Sequence, residues 1–184
     1  THYQNPSFFD NAFANFNAEL KLFKDYHAKN NKLIEFGLAT AFEHIADLFF
    51  EKGELEKALE HYEEKMQVMD ELCDLHPEND NYRYSFAVGY SRIGDVCMLV
   101  NELDDAIEYY QNYNEILSEI VNNKTQNETF QKAYAISFNK LGDLYFAKKQ
   151  YREATQSFNK AIKISKQLFK KNSQSNSVKR ELSV

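Results

Sequence analysis

The sequence repeats itself every 48 residues. In residues 138–158, which read FNKLGDLYFAKKQYREATQSF, apolar side chains recur at helical spacings on both sides of a short polar break. The same pattern stands 48 and 96 residues earlier, with no insertion or deletion between the copies. The matched positions are Phe42, Tyr90 and Phe138; Ile45, Ile93 and Leu141; Ala46, Gly94 and Gly142; Phe49, Cys97 and Tyr145; Ala58, Ala106 and Ala154; and Tyr62, Tyr110 and Phe158. Self-similarity at a fixed period of about 20–50 residues indicates a repeat architecture.

Each copy is typical of two helices joined by a tight turn. The chain has 5 Gly and 2 Pro among its 184 residues, so few positions break a helix. A single helix pair cannot bury both of its faces, and neighbouring pairs therefore have to stack. The sequence predicts an all-α repeat protein in which small residues let helices approach and aromatic residues fill the remaining space.

The third copy resembles the tetratricopeptide repeat. The residues that carry the resemblance are Phe138, in place of the family's Trp, and Leu141, Gly142, Tyr145, Ala154 and Phe158. The resemblance implies a right-handed α-α superhelical solenoid of stacked antiparallel helix pairs with a concave inner groove. Because the period exceeds the family's usual period of about 34 residues, each helix should be about two turns longer. Long repeats of this kind resemble arrays in bacterial multidomain proteins, which are often fused to signalling ATPase or caspase-like protease modules.

The repeat boundaries divide the chain into five segments. They are a capping helix or half repeat at residues 1–32, repeats at 33–80, 81–127 and 128–177, and the start of a fourth repeat at 178–184. The first helix is expected from Pro6 to about His27, with Asn5 as its cap. The Ser/Asn-rich segment 171–177 is predicted to be a loop. Because the last residues match the beginning of a repeat, we expect the chain to be a fragment of a longer array.

No motif in the sequence indicates catalysis, and we expect a protein that is not an enzyme and needs no cofactor. Gly-rich phosphate loops and Cys-x-x-Cys or His-Glu-x-x-His motifs are absent from the sequence. His44 and His61 fall on paired helices, but no third metal ligand accompanies them. Cys73 and Cys97 occupy apolar columns of the repeat, which favours buried thiols, a reducing compartment and a cytoplasmic location. No apolar run reaches the length of a membrane span.

One acidic column recurs in all three copies, as Asp47, Asp95 and Asp143. The resemblance places this column in the concave groove, where it would accept a basic or amide-rich peptide. The alternative is local pairing, because each Asp follows His44, Arg92 or Lys140 by three residues on the same helix. The predicted partner-binding residues are Glu43, Asp47, Phe50, Ser91, Arg92, Asp95, Met98, Asn139, Lys140, Asp143 and Phe146. Family members that clamp a chaperone's C-terminal carboxylate use Lys and Asn in such columns, so the acidic residues here disfavour that ligand.

The two ends of the array carry opposite charge. Residues 43–80 contain 13 acidic and 3 basic residues, whereas residues 132–180 contain 12 basic and 2 acidic residues. The function we predict is a protein-interaction scaffold that presents a groove to a peptide or partner domain of basic or mixed charge. Head-to-tail self-association through the opposite charges and a sensor arm of a larger signalling protein are the alternatives. The overall net charge of −6 and the lack of interleaved basic and aromatic residues disfavour nucleic-acid binding.

Overall fold

The computed structural model describes residues 6–27, 32–122 and 127–181, and every regular element in them is an α-helix. The helices are α1 (Pro6–His27), α2 (Lys32–Lys52), α3 (Leu55–Leu75), α4 (Asp80–Leu99), α5 (Leu103–Asn122), α6 (Glu128–Ala147) and α7 (Tyr151–Glu181). The chain divides into two compact units, Thr1–Asn101 and Glu102–Val184, which we call the N-terminal unit and the C-terminal unit.

The predicted helix pairs are confirmed, and the helix expected from Pro6 to about His27 is α1. The loop predicted at residues 171–177 is wrong, because α7 continues through this segment to Glu181. The segment contains Ser and Asn but no Gly or Pro, and Ser and Asn each cost a helix less than about 0.7 kcal/mol relative to Ala. The predicted cap Asn5, the connections at residues 28–31 and 123–126, and residues 182–184 lie outside the described residues.

One residue in a left-handed backbone conformation makes the turn inside each helix pair. Its φ angle is 81° at Gly53, 62° at Asn101 and 60° at Lys149, and these residues are 48 apart in the sequence. The N–H of Gly53 donates to the carbonyl of Phe50, and the N–H of Lys149 donates to that of Phe146. These bonds satisfy carbonyl groups that the helix end would otherwise leave unpaired. The turn geometry therefore repeats even though the residue type does not.

Asparagine caps two of the helices that begin a repeat. The side chain of Asn79 accepts hydrogen bonds from the backbone N–H groups of Asn81 and Tyr82, and that of Asn127 accepts one from Thr129. The two caps are also 48 residues apart, and such a cap is worth about 1 kcal/mol. Asn79 follows Pro77, which lies just after the end of α3 and cannot continue a helix.

Small residues let the two helices of a pair approach closely. In the N-terminal unit, Ala46 of α2 and Ala58 of α3 are both fully buried. In the C-terminal unit, a Cβ atom added to Gly142 of α6 would lie 2.5 Å from the ring of Phe158 on α7. Gly142 is therefore a packing residue, as its place in the repeat predicts, and the aromatic ring fills the space that the missing side chain leaves.

Candidate functional site

Five charged or hydroxyl-bearing side chains from three helices form one cluster in the N-terminal unit. The Tyr62 hydroxyl donates to Asp47 Oδ1 at 2.6 Å, and the Lys65 ammonium lies 2.7 Å from Glu43 Oε2. Arg92 reaches both carboxylates, with Nη2 3.4 Å from Asp47 Oδ2 and Nε 3.8 Å from Glu43 Oε1. Since Glu43 and Asp47 belong to α2, Tyr62 and Lys65 to α3, and Arg92 to α4, the cluster joins three helices.

Burial shifts the pKa values of the groups in this cluster. Desolvation raises the pKa of Asp47, although the hydrogen bond from Tyr62 and the charge of Arg92 oppose it. Desolvation and the bond to Asp47 raise the pKa of Tyr62 well above its usual range. Lys65 is 0% exposed, and desolvation lowers its pKa although Glu43 pairs with it. The carboxylates, led by Asp47, raise the pKa of Arg92 against the effect of its own burial. The cluster thus pairs two carboxyl groups with one ammonium and one guanidinium group.

A pocket of about 280 Å³ opens beside the cluster. It is lined by Phe16 of α1, by His44, Asp47, Leu48, Phe50 and Glu51 of α2, and by Arg92 of α4. The rings of Phe16 and His44 lie 4.7 Å apart and form an aromatic wall. The Asp47 side chain is 36% exposed and that of Arg92 39%. The pocket thus combines apolar walls with an accessible carboxylate and an accessible guanidinium group.

Three of the predicted partner-binding residues, namely Asp47, Phe50 and Arg92, line this pocket. Glu43 is not among the lining residues and pairs with Lys65. The remaining predicted residues of the N-terminal unit are in α4 and lie outside the lining. Among them, the Ser91 hydroxyl donates to the Val88 carbonyl within its own helix.

Asp95 and Met98, also in α4, are both half-buried. The carboxylate of Asp95 contributes to the raised pKa of Arg92, although Asp47, Tyr62 and Glu43 contribute more. The charge of Asp95 therefore acts on Arg92, at the edge of the cluster. Met98 lies about one turn further along the same helix.

The predicted residues of the C-terminal unit lie on α6 in different surroundings. Asn139 and Asp143 are exposed, and Asn139 borders an apolar cavity formed with α7. The ammonium of Lys140 lies 5.6 Å from the centre of the Tyr110 ring. Phe146 is 61% exposed and packs edge-on against Tyr151 at the turn. The structure therefore does not give Asp143 the surroundings that it gives Asp47.

Local pairing does not account for Asp47, because its partners are on other helices. Asp47 bonds Tyr62 and Arg92, whereas the ring of His44, three residues earlier, contacts that of Phe16 at a tilt of 36°. His61 lies parallel to the Phe49 ring at 5.6 Å and bonds Glu64. Within the described part of the chain, no three His, Cys, Asp or Glu side chains are placed to hold a metal ion.

Sequence reasoning missed Tyr62 and Lys65 as members of the cluster. Tyr62 is a core aromatic, as its place in the repeat predicts, but its hydroxyl also fixes Asp47. A signal for Lys65 exists in the repeat, because the matching residues Tyr113 and Ala161 are both buried. A lysine in a buried column requires a buried counter-charge.

Neither cysteine forms a disulfide in the described part of the chain. Cys73 and Cys97 are free thiols, with Cys97 buried and Cys73 half-buried. Burial, with Asp70 nearby, raises the pKa of the Cys73 thiol to about 11, so this thiol is weakly reactive at neutral pH. None of the helices described is both long and apolar enough to cross a bilayer.

The architecture defines an all-α protein built from antiparallel helix pairs in sequential contact within each unit. The chain is similar in fold to the crystal structure of BtubC (BKLC) from P. vanneervenii, with a TM-score of 0.66 and 17% sequence identity. The match covers 87% of this chain and 58% of that one, so this chain spans little more than half of its structural relative. No curated protein matches the sequence.

Residues 135–168 match the family model of the tetratricopeptide repeat, so the chain contains a tetratricopeptide repeat, as its sequence predicts. Such repeats generally mediate protein–protein interactions. The match begins at Ala135 within α6 and ends at Leu168 within α7. Both helices continue beyond it, α6 at its start and α7 at its end. The residues in excess of the usual period therefore lengthen the two helices, as predicted.

Proposed function

We propose that this chain is a non-enzymatic interaction scaffold that binds a partner protein through the pocket between α1, α2 and α4. The observation that carries the proposal is that Asp47, Phe50 and Arg92, expected on family grounds to meet a partner, line one pocket. A volume of about 280 Å³ suits one or two side chains of a peptide rather than a large cofactor.

The chemistry of the lining favours a peptide segment of mixed or basic character. Asp47 and Glu51 offer carboxylates, so a basic side chain is attracted to this edge of the pocket. Phe16 and Phe50 offer aromatic surface for an apolar neighbour of that basic side chain. Arg92 is held by Asp47 and Glu43, and its exposed part can meet a carboxylate or carbonyl of the same segment.

Comparative affinity capture with matched variants tests this proposal. The baits are the wild-type chain, a Phe50→Ala/Glu51→Lys variant of the pocket, and a Glu56→Lys control on the exposed first turn of α3. A partner of the pocket is retained by the wild type and the control and is lost from the pocket variant. Titration of the recovered protein against the three purified chains then measures the effect, expected to be at least about 30-fold for an aromatic anchor.

Equal capture would contradict the proposal. If every protein captured by the wild type is captured equally by the Phe50→Ala/Glu51→Lys variant, the pocket is not the binding surface. Circular dichroism of the variant must match that of the wild type, since Phe50 is half-buried.

A cytoplasmic location belongs to the same proposal, because Cys73 and Cys97 are free thiols and a reducing compartment keeps them so. Cell fractionation tests that part.

Head-to-tail self-association is a second candidate, favoured by the charges on two helices. Glu60 and Glu63 are exposed on α3, whereas Lys160, Lys163 and Lys166 are exposed on α7. Attraction between such surfaces weakens as the Debye length falls from about 30 Å at 0.01 M salt to about 8 Å at 0.15 M. Sedimentation velocity in low and high salt measures this self-association. A chain that is monomeric under both conditions contradicts the second candidate function.

A further inference from the structure

The pocket lined by α1, α2 and α4 has more carboxylate than cationic groups in its lining. Asp47 and Glu51 contribute carboxylates, whereas Arg92 is the one Lys or Arg residue among the described lining residues. The guanidinium group of Arg92 is already shared between two carboxylates, since it lies 3.4 Å from Asp47 and 3.8 Å from Glu43. Glu51 is exposed, and no cation of the described part of the chain pairs with it. The lining therefore attracts a further cation.

Asp47 can accept a hydrogen bond from a ligand in addition to those from the protein. Its Oδ1 accepts from the Tyr62 hydroxyl at 2.6 Å, and its Oδ2 lies 3.4 Å from Nη2 of Arg92. The second distance is longer than the roughly 2.7–2.9 Å of a strong charged hydrogen bond, and each carboxylate oxygen accepts about two bonds. The side chain is 36% exposed, so a ligand in the pocket can reach it. A cation there would also favour the charged form of Asp47, whose pKa desolvation raises.

Aromatic rings form much of the remaining lining. The Phe16 ring of α1 lies 4.7 Å from the His44 ring of α2, at a tilt of 36°. Phe50 is half-buried and Leu48 is buried, and both also line the pocket. A cation within about 6 Å of a ring centre is attracted by the electrons of the ring face. The pocket thus offers carboxylates to the edge of a cation and ring faces to a flat one.

Arginine is the protein side chain that uses both kinds of surface. Its guanidinium group is planar, so its edge donates to carboxylates while its face packs on an aromatic ring. Lysine carries a compact, strongly hydrated ammonium group that has no flat face. The methylene groups of an arginine side chain also pack on apolar surface such as that of Leu48. A volume of about 280 Å³ accommodates one such side chain.

The combination of carboxylates and rings does not recur with the 48-residue period. The counterparts of Glu51 are Leu99 and Ala147, which carry no charge. Phe16 belongs to α1, which precedes the three repeats. The preference of the pocket for a ligand therefore depends on residues of α1 and of the first repeat that the other two copies do not share.

We propose that the pocket binds an arginine side chain of the partner. The inference rests on the proposed function, since it names the side chain that enters the same pocket. Asp47 and Glu51 bind the guanidinium group, and the aromatic lining packs against its face. A lysine would lose the packing against the rings, and a neutral planar side chain such as glutamine would lose the attraction of the carboxylates. Arginine is therefore preferred over both.

NMR titration of the intact, isotope-labelled chain tests the inference with small probes. The probes are the N-acetyl, N′-methylamide forms of arginine, of lysine and of citrulline, which keeps the planar shape of arginine without its charge. The shifts of backbone amides around the pocket give a dissociation constant for each probe. For the arginine probe we expect about 1 mM, with the lysine probe at least about fivefold weaker and the citrulline probe about tenfold weaker.

Variants of the lining separate the two sources of affinity. Glu51→Gln removes an exposed charge and should weaken the arginine and lysine probes alike, by about two- to fivefold. Phe16→Leu keeps an apolar side chain but removes the ring, so it should weaken the arginine probe about fivefold and the lysine probe less than about twofold. A general disturbance of the fold would not produce this difference. Glu56→Gln, at an exposed position of α3 outside the lining, is the control and should bind all three probes as the wild type does.

Three results would overturn the inference. One is the absence of a saturable shift with the arginine probe at about tenfold the expected dissociation constant. Another is equal affinity for the arginine probe and either of the other two probes. The third is an affinity for the arginine probe that Glu51→Gln and Phe16→Leu both leave unchanged, which places the probe elsewhere.

The failure of this inference can be told from the failure of the proposed function. If the probes fail but a partner is lost from the Phe50→Ala/Glu51→Lys variant, the pocket binds its partner through a side chain other than arginine. Equal capture by that variant would overturn both, because no partner then enters the pocket. Preference for the arginine probe together with loss of capture supports both.

Discussion

Replacing Lys65 with methionine tests whether the charged side chains of the cluster in the N-terminal unit contribute jointly to the free energy of unfolding. The Lys65 side chain is buried, and its ammonium lies 2.7 Å from Glu43. Methionine keeps the approximate length and helix propensity of lysine but removes the cation. Glu43, whose side chain is 20% exposed, would then depend on Arg92, at 3.8 Å, for a compensating charge.

The expected cost follows from that geometry. Removing one partner of a buried ion pair costs about 3–5 kcal/mol, because the other charge stays desolvated. Arg92 remains close and part of Glu43 reaches solvent, so we expect the lower end, about 3 kcal/mol. The double variant Glu43→Leu/Lys65→Met removes both charges and leaves Asp47 with Arg92. Its free energy of unfolding should lie within about 1 kcal/mol of the wild-type value.

Urea unfolding followed by far-UV circular dichroism measures these free energies, provided that the slopes agree among the variants. Lys57→Met is the matched control, since Lys57 lies on the same helix but is exposed and pairs with Glu54. It should change stability by less than about 1 kcal/mol. The reasoning is refuted if Lys65→Met costs no more than Lys57→Met, or if the effects of Glu43→Leu and Lys65→Met simply add in the double variant.

Three further predictions concern packing, turns and pH. Gly142→Ala should destabilise the chain by about 1–2 kcal/mol despite the better helix propensity of Ala, because the new Cβ meets the Phe158 ring at 2.5 Å. The loss should shrink in a Phe158→Leu background, and thermal melting of the four chains checks it. Lys149→Gly should stabilise by about 1 kcal/mol and Gly53→Ala destabilise by about as much, since both residues have positive φ and only glycine tolerates it freely; the same sign for both in urea unfolding would contradict this. Burial raises the pKa of Asp47, so the folded chain binds a proton there more tightly than the unfolded chain. Relative to Asp47→Asn, the wild type should therefore gain stability as the pH falls through the raised pKa towards 3.8, the ordinary value, and an equal pH profile of the two chains would exclude the shift.

The helices could be predicted from the sequence because three aligned copies reinforce one another. An apolar residue that recurs at the same position in each copy marks the buried side of a helix, and the breaks between copies mark the turns. The end of α7 could not be predicted this way. The Ser/Asn-rich composition of residues 171–177 favours a loop. A helix that has already formed continues, however, unless a residue breaks it, and Ser and Asn are only weak helix breakers.

The turns show a related limit. Gly53 is recognisable as a residue for positive φ, but Asn101 and Lys149 hold nearly the same φ in the other copies. The position in the repeat determines this conformation, because both flanking helices pack against each other and fix the direction of the chain. Residue type alone identifies Gly53, favours Asn101 weakly and misses Lys149.

The aspartate column shows why a repeated residue is not a repeated site. Asp47 is held by the Tyr62 hydroxyl, whereas the matching partner position of Asp143 is Phe158, which has no hydroxyl to donate. Lys65 brings a buried cation next to the first copy, and its counterpart Ala161 brings none. Asp143 is accordingly exposed, while Asp47 is half-buried with a raised pKa. The period fixes where helices cross, but the charge chemistry comes from residues that the copies do not share. For this reason a substitution at Asp47 should affect both folding and partner binding, whereas one at Asp143 should leave folding unchanged.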